Sequence, residues 1–295
     1  MQKSDRMMWM NIWTDNVSGR QEMNGSKDLK TIIYFKGVYD TLDLFTDHLI
    51  EAFESMGYGT FVYHTANEEV SKKMLLRLLD ESQEFAVVTF NNLGYNLSFE
   101  QSEAAEDEEK KPEEHNIWNY FHIPYIDILM DHPFHYEKPL CNMPETAVIL
   151  CTDRNHEKYI RRFFKNIHQT DFLPHAGVEL GHKHKPLNDR NIDVLYAGAL
   201  PIYTVAKMIP DIHSIPEVDG EHMMQSVLGE LVQHPEQTTE QAIEAYVKSV
   251  RGDISDERLQ EIIVKMRFLD SYATSFFREQ AVRILVESGI HVTAY

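Results

Sequence analysis

Short β-rich runs alternate with amphipathic helical stretches through the first part of this 295-residue chain, and that alternation constrains the fold more than any other feature. TIIYFKG (31–37), TFVYHT (60–65), FAVVTF (85–90), YIDILMDHPF (125–134), AVILCTD (147–153) and TDFLPHAG (170–177) each read as a strand running into a polar or glycine-bearing turn. After the first run, Leu42, Phe45, Leu49, Phe53 and Met56 recur at helical spacing, with Asp40 as the expected N-cap and Gly57 as the residue just past the end. A second helix is predicted around 71–82. A third is predicted over 154–165, with Asp153 as N-cap and Tyr159, Ile160, Phe163 and Phe164 on one face. Strands and helices alternating at this spacing predict an α/β, Rossmann-like domain with a mostly parallel sheet covered on both faces and joined by right-handed crossovers.

The pattern divides the chain. Residues 1–28 lack a sustained period and read as a flexible leader, and 29–180 carry the N-terminal Rossmann-like domain. GHKHKPLNDR (181–190) reads as a linker, after which IDVLYAGAL (192–200) opens a second unit. Helices are predicted near 220–233, 238–250, 255–272 and 274–288, and IHVTAY (290–295) begins another strand. One strand, a helical insertion over about 202–275, one helix and one strand do not complete a doubly wound domain. Residues 191–295 therefore read as an incomplete C-terminal domain.

Charge and cysteine usage exclude several classes of function. With 28 basic and 47 acidic side chains the net charge is −19, a poor match to sequence-independent nucleic-acid binding, which needs Lys and Arg against phosphates. Part of the acidity is local, in EQSEAAEDEEKKPEE (100–114), which reads as an exposed loop. Cys141 and Cys151 form no C-x-x-C pair, so a disulfide framework and a cysteine zinc site are not expected, and a reducing, cytoplasmic setting is. No apolar run approaches the roughly 20 residues of a membrane span, and the start does not read as a secretory signal.

In an open parallel sheet, ligands bind outside the carboxyl ends of the strands. Those ends carry Gly37-Val38-Tyr39, His64-Thr65, Asn91-Asn92-Leu93-Gly94, Asp131-His132-Pro133, Thr152-Asp153 and His175-Ala176-Gly177. The densest cluster is Asp131-His132-Pro133-Phe134-His135. There a carboxylate or imidazole is suited to take a proton from an attacking hydroxyl, and the competing reading is a structural turn whose carboxylate caps nearby amides. No GxGxxG follows the first strand, and neither a P-loop nor a GxSxG elbow occurs, which disfavours standard dinucleotide enzymes, P-loop NTPases and α/β-hydrolases. The close pairs His132/His135 and His182/His184 lack the third and fourth convergent ligands that zinc requires, so no metal site is expected.

The linear order of the pieces adds to this. HIPYIDILMDHPFHY (122–136), AVILCTDRNHEKYIRRFF (147–164), FLPHAG (172–177) and NIDVLYAGAL (191–200) follow one another in an order that resembles the CgeB-like glycosyltransferases, which have two facing Rossmann-like domains in the GT-B arrangement. The resemblance covers roughly 30–200 and, weakly, 276–295. It implies transfer of a sugar from a nucleotide-sugar co-substrate to a carbohydrate or protein acceptor, with no metal or other cofactor, and with helix ends and backbone amides supporting the diphosphate. On that reading Asp131 and His132 serve proton transfer or acceptor orientation. Gly37, Tyr39, Asn91, Asn92 and Gly94 line the substrate side, and His175 and Gly177 the interdomain side. Gly198 lets backbone approach the donor phosphates. The family's later nucleotide-binding segments would lie beyond Tyr295. Two other readings stand beside it: a non-catalytic interaction module whose helices within 202–288 bind a protein partner, and a small-molecule-binding regulator that uses the same cleft without chemistry.

Overall fold

A computed structural model describes residues 30–80, 84–101, 113–177, 185–198 and 215–295. The chain forms two compact units, Met1–Val178 and Glu179–Tyr295. The predicted leader lies outside the described residues, as do most of the acidic segment and parts of the linker and helical insertion.

The first unit is an α/β, Rossmann-like fold around a six-stranded, all-parallel sheet. Its strands are β1 (Lys30–Lys36), β2 (Gly59–His64), β3 (Glu84–Phe90), β6 (Tyr125–Leu129), β7 (Ala147–Cys151) and β8 (Gln169–Phe172), in the spatial order β2-β1-β3-β6-β7-β8. Between β3 and β6 the chain inserts an antiparallel pair, β4 (Ser98–Gln101) and β5 (Glu113–Asn116). The acidic segment expected to be wholly a loop is therefore paired at both ends, with Glu100 opposite Glu114. Among the described residues the unit also carries the helices α1 (Asp40–Ser55), α2 (Glu68–Leu79), α3 (Ile117–Tyr120), α4 (Glu137–Cys141) and α5 (Arg154–Phe163). The order reverses between β1 and β3, so the topological switch point lies between the loops that follow those two strands.

Period-2 alternation sorts the sheet residues onto two faces. Ile32, Tyr34, Val88, Phe90, Ile126, Ile128, Val148 and Leu150 form one apolar layer, against which Phe45, Leu49 and Phe53 of α1 pack. On the other face Phe35 meets Tyr63 at 5.1 Å and the edge of Trp118 at 6.2 Å, and Trp118 lies 6.1 Å from Tyr125. Because both faces are covered, the central strands are almost wholly apolar. Asp127, with no exposed surface, is the exception among the carboxylates of β1, β3, β6 and β7.

Two local expectations change. Asp40 is not the N-cap of α1: that position is Tyr39, with no side-chain cap, and Asp40 starts the helix. The carboxylate that reaches back over the turn is Asp43, which accepts from the Gly37 N–H at 3.0 Å. Asp153 does cap α5, accepting from the Asn155 N–H.

The second unit pairs β9 (Val194–Tyr196) with β10 (Val292–Ala294) in parallel and carries α6 (Gly220–Gln233), α7 (Thr239–Arg251), α8 (Asp256–Met266) and α9 (Phe268–Glu287). Met223, Val227, Leu231, Ile243, Val247, Ile262, Met266 and Leu269 are buried as its core. Thr238 and Gln241 form a capping box, and Ser255 caps α8. The break between the last two helices falls at Arg267 rather than near 273. The apolar series is in phase across the break, with Met266 and Leu269 both buried, so periodicity alone does not place it.

Gly94 shows how tightly the first unit is built. Its φ is +78°, and an added Cβ would lie 2.1 Å from the buried ring of Phe35. Gly94→Ala is expected to cost about 3 kcal/mol or more, from overpacking plus left-handed backbone strain, as read by chemical denaturation.

Candidate functional site

The carboxyl edge of the sheet is organised by the turn after β3. Asn91 and Asn92 both take left-handed backbone, at φ +48° and +65°, a conformation Asn tolerates better than most residues. Side chains from two other elements hold the turn. The Asn92 N–H donates to Asp127 Oδ1 at 2.9 Å, the Tyr125 hydroxyl to the Leu93 carbonyl at 2.7 Å, and the Trp118 indole to the Gly94 carbonyl at 2.7 Å. Thr89 also donates to the Leu93 carbonyl.

Asn91 links this turn to the end of β6. Its Oδ1 accepts from the Met130 N–H at 2.9 Å, and its Nδ2 donates to Asp131 Oδ2 at 3.1 Å. The same carboxylate oxygen accepts from the Tyr136 hydroxyl at 2.9 Å. Asp131 itself is exposed. Its partners are an amide and a phenol, so its orientation is fixed by neutral donors. A carboxylate held in this way can take a proton from a hydroxyl brought against it. Burial first, then the bond to Asp131, pushes the Tyr136 hydroxyl well above its ordinary range, with Asp127 and Tyr39 adding to the effect.

The neighbouring imidazole has a different setting. His132 Nδ1 accepts from the Phe134 N–H at 3.2 Å, making the ring the cap of the 3₁₀ turn Pro133–Tyr136. The ring stacks on Phe134 at 3.6 Å and meets His156 and Tyr159 edge-on at 4.6 and 5.1 Å. The turn-capping role thus falls to the imidazole, while Asp131 stands outward.

At the β1 end, Gly37 (φ +98°) is fitted under Thr65, and Tyr39 is exposed. Asp40 and Asp43 occupy the first turn of α1. Carboxylates there stabilise the helix start and repel a phosphate, so this helix is a poor seat for a diphosphate. Asn91 and Asp131 are brought together, whereas Asn92 is buried in the same turn and bonded to Asp127; Gly94 supports the turn from beneath. His175 and Gly177 are exposed beyond β8, two strands from β6. Gly198 belongs to the second unit, where its N–H donates to the Tyr295 carbonyl. Among the described residues no group of three or more His, Cys, Asp or Glu is placed to hold a metal, and no helix is long and apolar enough to cross a membrane.

Asp127 and Tyr136 were not singled out from the sequence. The signal for Asp127 was an acid in the middle of an apolar strand, where only a specific role offsets the desolvation cost. Tyr136 gave no such signal, because its reach to Asp131 depends on the 3₁₀ turn. No family model matches the chain, and neither a curated protein nor a solved structure matches it.

Burial pushes the Asp127 carboxyl up to about 7, opposed in part by the Asn92 N–H. Between an unfolded value of about 4 and this folded value, the folded chain keeps a proton that the unfolded chain has released. The group therefore subtracts stability as pH rises through that window. Asp127→Asn is expected to flatten this dependence, so that the fall in Tm from pH 5 to pH 8 is smaller in the variant than in wild type. An equal fall in both proteins would contradict the assignment.

Proposed function

We propose that the chain is a glycosyltransferase of the CgeB-like, GT-B kind, or the acceptor-side part of one with the opening of its donor-side domain. It would move a sugar from a nucleotide-sugar to an acceptor hydroxyl. The observation that carries the reading is the exposed Asp131 carboxylate, oriented through Oδ2 by Asn91 and Tyr136 beside the switch point of a parallel sheet. The order of the strings from HIPYIDILMDHPFHY to NIDVLYAGAL gives it the sugar-transfer context.

In the reaction, Asp131 takes the proton of the acceptor hydroxyl as that oxygen bonds to the anomeric carbon. The bond from that carbon to the phosphate oxygen breaks, and the nucleoside diphosphate leaves with the electron pair. His132 shapes the turn that presents Asp131. The acidic first turn of α1 suits an acceptor-side domain, since it leaves the diphosphate to be held elsewhere. The parallel pair β9–β10 and the left-handed Gly198 are compatible with the start of a donor-side domain. The two unpaired cysteines suit work in the cytoplasm.

The test is a panel of nucleotide-sugars and glycan acceptors, assayed for nucleoside diphosphate release and for transfer with the protein from its native source. Asp131→Asn is expected to lower turnover about a hundredfold or more with little change in Tm. Wild-type turnover in that variant would remove the role given to Asp131. Failure of every nucleotide-sugar to bind would remove the reading itself.

A further inference from the structure

We propose that Asp127 is a positioning residue of this site: its buried carboxylate holds the turn after β3 and, through Asn91, fixes where Asp131 points. The consequence for sugar transfer rests on the function proposed above; the positioning itself rests on geometry alone.

The path has few members. Asp127 has no exposed surface, and its Oδ1 accepts the Asn92 N–H at 2.9 Å. That bond fixes the second of two consecutive left-handed residues. The first of them, Asn91, contacts the end of β6 twice, accepting from the Met130 N–H and donating to Asp131. A change at Asp127 therefore passes through a single rigid turn to the exposed carboxylate.

The surroundings of Asp127 give this path two states. Asn92 is 4% exposed, and among the described residues its Oδ1 and Nδ2 have no hydrogen-bond partner, nor does Asp127 Oδ2. An ionised Oδ2 can accept only, whereas a protonated Oδ2 can also donate. Gain or loss of one proton thus changes what the Asp127 carboxyl can bond to, directly beneath the turn it holds. The titratable groups acting around Asp127 are Tyr125 on β6, Cys151 on β7 and Tyr136 on the 3₁₀ turn. Burial is the largest cause raising each of them, with Cys151 at about 12, so all three stay neutral where Asp127 changes charge, at about 7. β3 contributes the neutral Thr89 opposite Asp127.

The experiment is NMR of the whole chain labelled with 15N-asparagine, which reports the Asn92 backbone amide and the Asn91 side-chain amide. In wild type both signals are expected to titrate together with a midpoint near neutral pH. Asp127→Asn keeps an acceptor for the Asn92 N–H, and is expected to abolish the titration while retaining slow exchange at Asn92. Asp127→Leu removes the acceptor, and is expected to speed exchange at Asn92 at least about tenfold and to move the Asn91 side-chain signals. Unmoved Asn91 signals in Asp127→Leu, or a titration that persists in Asp127→Asn, would overturn the proposal. Should the leucine variant fail to fold, the asparagine variant decides. In the transfer assay, the near-neutral step of the pH–rate profile is expected to disappear in Asp127→Asn, with the donor KM unchanged. If wild type transfers no sugar, the functional reading falls while the NMR result still decides the role of Asp127.

Discussion

The central sheet of the first unit buries both of its faces, and the rest of that unit follows from this. A strand covered on both sides cannot carry unpaired polar groups without a desolvation cost, so its residues are apolar and its polar chemistry is pushed to the ends. The carboxyl edge collects Gly37, Tyr39, Asn91, Asn92 and Asp131 for that reason. The one fully buried carboxylate of β1, β3, β6 and β7, Asp127, is tolerated because the Asn92 N–H reaches it and because burial favours its protonated form.

The loops at that edge are held to different degrees. The turn after β3 is tied by Asp127, Tyr125, Thr89 and Trp118, so its two left-handed asparagines are set by the elements beneath them. The turn after β6 is held by His132, whose ring caps it and packs among Phe134, His156 and Tyr159. Asp131 lies between these two rigid turns and is contacted by both. An exposed carboxylate loses little orientation when its neutral partners are themselves fixed, which is the property a proton acceptor needs.

Much of the arrangement is legible in the sequence. The strands of the first sheet, the cap at Asp153, the left-handed Gly57 and the turn at Asn91–Gly94 follow from apolar runs and from residues with narrow backbone preferences. The ends of the acidic 100–114 stretch pair as strands without a clear signal in the sequence, because Ser98–Gln101 and Glu113–Asn116 pair through their backbones and hold one apolar residue, Phe99. Periodicity does not place the break at Arg267, because the helical period continues across it.

The sequence by itself determined the class of fold and which residues end each strand, since those depend on local periodicity and on turn chemistry. Only the tertiary structure decided the strand order that puts β1 beside β3, and therefore where the switch point lies. It also decided that His132 turns into an aromatic cluster while its neighbour Asp131 faces outward, and that Asp127 lies under a turn 35 residues earlier in the chain. These outcomes come from contacts between residues far apart in sequence, whose pairing is set by packing and carries no local signature.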